Sequence, residues 1–225
     1  MYSIKLFVET GTKKIFVGAI DWPGWIRSGR DEHLALQSLF DYRSRYKKVL
    51  RHAGIQFQVP ADLSDFTVIE RHLGSTMTDF GAPAVILDAD KEEMNRADLE
   101  DSQKILVACW QAFDGAVQSA DGKELRKGPR GGGRDTSRIQ EHVLDADRGY
   151  LSRLAWKHKR VKENEYSEEF GRIRQAILEA LEAAASGGLP EKGPRGGIIW
   201  PARYFIRRVA WHVLDHAWEI EDRIE

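Results

Sequence analysis

Three histidines have the residue type and spacing to bind one metal ion. His212 and His216 are four residues apart in a stretch of helical periodicity, so their side chains project from the same helix face. His142 lies in a separate predicted helix and shares its apolar stripe with Ile139 and Tyr150. Imidazole nitrogens bind zinc, nickel, iron or copper, and zinc or nickel is the expected ion. The three residues predict a facial site with open positions for water or substrate.

Carboxylates near these histidines are candidates for orienting the imidazole rings. Asp145 follows His142 by three residues, and Asp215 follows His212 by the same step. Each is placed to accept the ring N–H that faces away from a bound metal. Glu219, close to the end of the last predicted helix, is a third candidate for this outer role. The opposing interpretation is that such histidine pairs only pack or titrate, since short motifs have high false-positive rates.

The first third of the chain has the pattern of a small α+β unit. Apolar and polar residues alternate at its start, which predicts a strand with one buried face. Asp31 is a predicted helix N-cap, and Gly54 is the predicted residue after the helix end. The predicted order is β-β-β-α-β, with strands over 2–9, 15–20, 25–28 and 66–70 and one helix over 31–52.

Long helical periodicity replaces this pattern after residue 87. Apolar residues recur at three- and four-residue steps in four segments, over 99–121, 139–154, 170–187 and 205–220. Four amphipathic helices joined by glycine-containing loops predict a four-helix bundle. The expected fold class is therefore α+β, with a small unit at 1–87 and a bundle at 88–225.

One hexapeptide, KGPRGG, occurs twice, at 127–132 and at 192–197. Each copy precedes a predicted histidine-bearing helix. Glycine exposes backbone N–H groups and arginine offers a bidentate fork, so Arg130, Arg134 and Arg195 are candidate anion-binding residues. This role requires both loops to lie at the same end of the bundle as the histidines. The alternative is a pair of solvated connections, which is the commoner use of polar loops.

Two helical motifs resemble those of the DinB/YfiT-like superfamily. TSRIQEHVLDA at 136–146 resembles the start of the second helix of that family, and RVAWHVLDH at 208–216 resembles its last helix. The resemblance spans roughly the last 140 residues. It implies a four-helix bundle with a three-histidine site for a divalent metal. Some members of the family are thiol-dependent S-transferases or isomerases.

The chain departs from this family at one position. Members often carry histidines at three successive four-residue steps of the last helix, whereas the third step here is Ile220. Three alternatives follow. The ligands are His142, His212 and His216, or Glu219 replaces one of them, or the site does not bind metal.

The N-terminal unit resembles the HicB-type antitoxin fold. The resemblance rests on the turn DWPGW at 21–25, Gly29 and the helix start DEHLAL at 31–36. It covers roughly the first 70 residues and implies the fold alone, because no separate DNA-binding helix-turn-helix or catalytic cluster accompanies it. We expect an oligomerisation or pocket-covering module, consistent with a homodimer.

Composition limits the kinds of partner, disulfide and cellular location that we expect. The chain has 225 residues and a formal net charge of −1, which argues against nucleic acid as a partner. The single cysteine, Cys109, excludes an internal disulfide and lies in an apolar run, where a buried thiol is expected. No leader pattern or membrane-length apolar run is present, so a cytoplasmic location without membrane contact is expected.

Two functions remain from the sequence. The first is a divalent-metal-dependent enzyme of the DinB-like type that acts on a small molecule, with transfer of a low-molecular-weight thiol implied by the resemblance. The second is a non-catalytic binding or stress-response module whose arginine loops recognise an anion. A response to divalent metal or to anionic ligands in a thermal-shift experiment separates the two.

Overall fold

A four-stranded sheet from the first third of the chain lies between one short helix and a set of four long helices. The computed structural model describes residues 3–127, 133–161, 165–193 and 196–225. The strands are β1 (Ile4–Thr10), β2 (Ile15–Ala19), β3 (Ile26–Gly29) and β4 (Phe66–Leu73). The helices are α1 (Glu32–Asp41), α2 (Arg43–His52), α3 (Thr76–Phe80), α4 (Arg96–Ser119), α5 (Thr136–Leu151), α6 (Tyr166–Ala185) and α7 (Ala202–Arg223). These elements confirm the predicted α+β class.

The sheet has the order β3-β2-β1-β4, with β1 antiparallel to β2 and parallel to β4. The prediction of one buried face for β1 is wrong, because alternate side chains of this strand enter two different buried layers. Leu6 belongs to the apolar cluster that contains Leu39 of α1. Phe7 belongs to a smaller cluster with Trp211 of α7. The sheet is therefore covered by α1 on one face and by α7 on the other.

The prediction of a single helix over 31–52 is wrong. The chain forms two helices, with a break at Tyr42. The Asp31 side chain accepts a hydrogen bond from the Leu34 N–H and caps α1 as predicted. At Tyr42 the backbone has ψ −2°, and its ring packs on Trp218 of α7 with centroids 4.9 Å apart. The break lets α1 pack on the sheet while α2 packs on α4. Two different packing partners, which periodicity does not reveal, account for the change of direction.

The four long helices lie where the sequence predicts them, and each packs on at least two of the others. α4 packs on α7 and α6, and α5 packs on α6 and α7. α7 is buried along most of its length, because the sheet covers one side and the other long helices cover the rest. A histidine on α7 is thus held in a rigid, mostly dry setting.

Buried apolar side chains from both parts of the chain form one continuous cluster. The division into 1–87 and 88–225 stays a prediction. The segment after α3 is fastened to α7 by polar contacts. Arg207 pairs with Asp90 and donates to the Val85 carbonyl, and Arg208 donates to the Pro83 carbonyl.

Within the described ranges, none of the helices is long and apolar enough to cross a membrane.

Candidate metal centre

The three candidate histidines come from two packed helices, α5 and α7. The Asp135 side chain accepts from the Arg138 N–H and so starts α5, which places His142 two turns further along. His212 and His216 lie on consecutive turns of α7, with ring centroids 4.7 Å apart. The contact between α5 and α7 brings His142 to the same place, since its ring centroid is 5.0 Å from that of His212 and 4.9 Å from that of His216.

The nitrogen atoms of the three rings converge. Nε2 of His142 lies 3.1 Å from Nε2 of His212. One nitrogen from each of the three rings lies within 4.8 Å of the other two. Two nitrogens bound tetrahedrally to one ion at about 2.1 Å are about 3.4 Å apart, so the first pair lies close to the spacing of shared ligands. The three histidines are close enough to hold one metal ion.

Burial and repulsion between neighbouring rings lower the pKa of His142 and of His212, which favours the neutral form that binds metals. Burial first, and then the neighbouring His216 and His142 rings, lower the pKa of His212 well below its ordinary value. The pKa of His142 is lowered by burial, by His216 and by the charge of Arg134. Metal ligation requires a free nitrogen lone pair, so a lowered pKa favours binding at neutral pH.

Glu219 holds His216 from the outer side. Its Oε2 atom is 2.8 Å from Nδ1 of His216, and its Oε1 atom accepts from Nη1 of Arg223 at 2.6 Å. Burial raises the pKa of Glu219, but the bonds from His216 and Arg223 outweigh burial and hold that pKa below its ordinary value. An ionised carboxylate on Nδ1 fixes the ring and leaves Nε2 facing the centre. Both oxygens of Glu219 are engaged, so the geometry favours it as an orienting group and the three histidines as ligands.

The other two predicted orienting carboxylates point elsewhere. Asp215 accepts from Nη1 of Arg27 at 2.9 Å. Asp145 lies 3.3 Å from Arg148 and 3.8 Å from Arg160. In the part of the chain that the structure describes, neither carboxylate is hydrogen-bonded to an imidazole. Both carboxylates pair with arginines instead, because each carboxylate is about half exposed on the outside of its helix.

Packing, and not a hydrogen bond to Nδ1, holds the ring of His212. Its Nδ1 atom is buried, and the described residues supply no hydrogen-bond partner for it. The ring instead meets Tyr150 edge-on, with centroids 5.7 Å apart. The Tyr150 hydroxyl accepts from Nη2 of Arg208, one turn before His212 on α7. The sequence analysis did not assign Tyr150 or Arg208 to the site, although Arg208 lies one helical turn before His212 and Tyr150 two turns after His142.

The described flanks of the two arginine loops lie near opposite ends of α7. Arg130 and Arg195 lie outside the described residues. Arg134 is exposed beside the C-terminal end of α7, where its carbonyl accepts from Arg223. The second loop runs into the N-terminal end of α7, at the other end of a helix of 22 residues. The described flanks therefore do not meet the condition for one shared anion site, that both loops lie at the same end.

Other sequence interpretations also have an outcome here. His158, which the sequence analysis did not assign to a site, has a side chain only 7% exposed that contacts Glu169 at 2.9 Å. Cys109 is buried, as predicted, and burial raises the pKa of its thiol. Arg223 was missed, although its place four residues after Glu219 is a helical ion-pair spacing that can be read from the sequence.

The donor set fits a divalent transition metal. Three imidazoles, one of them with a carboxylate behind it, are the ligand arrangement that zinc and nickel accept in proteins. His212 and His216 are nearly buried, at 7% and 8% exposure, whereas His142 is partly exposed. Of the three histidines, His142 is therefore the one nearest to solvent. Comparisons of the chain with protein-family models, with curated proteins and with solved structures find no match.

Proposed function

We propose that this protein is a divalent-metal-dependent enzyme whose metal is held by His142, His212 and His216. The observation that carries the proposal is the convergence of the three ring nitrogens within 4.8 Å at the contact of α5 with α7. Three ligands from the protein leave coordination positions free, which distinguishes a catalytic site from a closed structural site.

Zinc or nickel is the proposed ion. Such a cation supplies Lewis acidity and lowers the pKa of a thiol or water held at its open side. The chain's own groups do the rest. Glu219 fixes the tautomer of His216, and the packing of Tyr150 fixes the ring of His212. The partly exposed His142 marks the side from which a small substrate enters.

The reaction class is proposed from the resemblance to the DinB/YfiT-like superfamily. It is the transfer of a low-molecular-weight thiol to an electrophile. The sulfur forms a bond to the electrophilic carbon, the leaving group departs with its bonding electrons, and the thiol proton passes to solvent. The buried walls around His212 and His216 limit the access of water, which competes with a thiol for the electrophile.

Metal content tests the site directly. Protein purified without a histidine tag or chelator is analysed by elemental mass spectrometry, beside His216→Ala and His33→Ala. His33 is exposed and outside the centre, so its variant is a matched control for loss of one histidine. We expect about one zinc or nickel per chain in the wild type and in His33→Ala, and at least a tenfold loss in His216→Ala. Equal metal content in all three proteins refutes the ligand assignment.

Activity is tested after the metal. The metal-loaded protein and His216→Ala are screened with small thiols and electrophiles, and product formation is followed by mass spectrometry. We expect turnover that a chelator abolishes and that zinc or nickel restores. A stoichiometric metal without any thiol-dependent product would leave the site in place and refute the reaction class.

A further inference from the structure

Arg223, near the end of α7, contacts a metal-centre group and two backbone carbonyls at once. Its Nη1 atom donates to Oε1 of Glu219 at 2.6 Å, and Glu219 contacts Nδ1 of His216 through its other oxygen at 2.8 Å. Its Nε atom donates to the Arg126 carbonyl, and its Nη2 atom donates to the Arg134 carbonyl, both at 2.9 Å. The three nitrogens of one planar guanidinium therefore serve three different partners.

Both carbonyls belong to the connection between α4 and α5. Arg126 precedes the glycine-rich segment of this connection, and Arg134 follows it. Around Arg126 the attachment is reinforced by backbone contacts, because its N–H donates to the Arg223 carbonyl at 2.7 Å and Leu125 forms a bridge with Ile224. The two described flanks of the connection are thus fastened to the end of α7.

Gly133 shows how close this attachment is. It has φ +147°, and a Cβ atom placed there would lie 2.5 Å from Nη2 of Arg223. A side chain at this position would force the guanidinium away from the Arg134 carbonyl. Glycine is therefore required for the chain to pass Arg223 at this distance.

We propose that Arg223 is a positioning residue that couples metal binding at His216 to the backbone of Arg126 and Arg134, the two described flanks of the α4–α5 connection. The inference rests on the proposed metal site. A metal on Nε2 of His216 fixes the ring, the ring fixes Glu219 through Nδ1, and the carboxylate fixes one edge of a rigid guanidinium. The other donors of that guanidinium then hold the carbonyls of Arg126 and Arg134.

The coupling works in both directions. If metal binding steadies the backbone at Arg126 and Arg134, steadying that backbone strengthens metal binding by the same free energy.

Hydrogen exchange read by mass spectrometry tests the coupling on the full chain, with and without zinc. The measured regions are the amides around Arg126 and those around Arg134. In the wild type, we expect zinc to slow their exchange about fivefold or more. In Arg223→Gln, we expect the zinc-dependent slowing to disappear, zinc affinity to fall by about tenfold, and the zinc stoichiometry to stay unchanged.

Arg203→Gln is the matched control. Arg203 makes the same kind of contacts at the opposite end of α7, to the carbonyls of Glu92 and Glu93 and to Asp98, without reaching a histidine. We expect this variant to keep the zinc-dependent slowing and the wild-type zinc affinity. Arg223→Lys provides a second test that keeps the charge, since one ammonium group cannot serve all three partners. It should fold and lose most of the slowing.

The outcomes separate the two proposals. A wild-type protein that binds no zinc would overturn both the metal site and the coupling. Zinc binding without slower exchange in the wild type, or equal slowing in Arg223→Gln, would overturn the coupling and leave the metal site standing. Loss of slowing in Arg203→Gln as well would also overturn it, because the effect would then follow from general loosening of α7.

Discussion

Replacing Asp147 with asparagine is expected to stabilise the protein above neutral pH and to change its stability little in acid. Asp147 is a fully buried residue of α5, and neither of its carboxylate oxygens has a hydrogen-bond partner in the described part of the chain. Burial raises its pKa to about 7, against a smaller lowering by the charge of Arg174. Both guanidinium Nη atoms of Arg174 are committed to Asp114, at 2.7 Å each.

The sign and size of the effect follow from proton linkage. The ordinary pKa of this carboxyl is 3.8 and the folded value is about 7. Between these values the folded state binds more protons than the unfolded state, so the free energy of unfolding falls as pH rises. The contribution is fully present below pH 3.8 and is lost by about pH 7. At about 1.36 kcal/mol per pKa unit, the whole interval corresponds to about 4 kcal/mol as an upper limit.

Urea denaturation at about pH 5 and about pH 8 measures this term, since roughly two of the three pKa units lie in that window. We expect Asp147→Asn to gain about 3 kcal/mol over the wild type between the two pH values. Asp145→Asn is the control, because its carboxylate is 54% exposed and should change the pH dependence by less than about 1 kcal/mol. Parallel pH profiles for the wild type and Asp147→Asn would refute a neutral, unpartnered Asp147.

Two further predictions concern buried groups outside the centre. Arg207→Met leaves the buried carboxylate of Asp90 without its partner and is expected to lower the free energy of unfolding by about 3–5 kcal/mol. A second change, Asp90→Asn, should restore much of this loss in urea denaturation, and a loss below about 1 kcal/mol in Arg207→Met would contradict the interpretation. Cys109 is fully buried with a raised pKa, so a thiol reagent should react with it only in denaturant. Rapid stoichiometric labelling of the native protein would show that the thiol is accessible.

The sequence determined the features that depend on neighbours along the chain. The four-residue step between His212 and His216 places both side chains on one face of any helix that forms there. Alternating and helical periodicity likewise predicted the four strands and the four long helices, because burial of an apolar face follows the period of the element. The cap at Asp31 is equally local, since it needs only the N–H groups of the next turn.

Only the tertiary structure decided which carboxylate orients a ligand. Asp145, Asp215 and Glu219 each follow a candidate histidine by three residues, so the local geometry of the helix does not distinguish them. Arg27 of β3 forms an ion pair with Asp215, and Arg160 from a loop lies near Asp145. Glu219 alone of the three contacts its histidine in the described structure, with Arg223 behind it.

The meeting of His142 with the other two histidines, the break at Tyr42 and the burial of Asp147 have the same origin. Each depends on which element lies opposite, namely α5 on α7, α2 on α4, and α6 on α5. A helix face can be read from spacing, but its partner is chosen by the packing of the whole chain. The sequence therefore predicted three candidate ligands, and the contact between α5 and α7 brings them close enough to hold one metal ion.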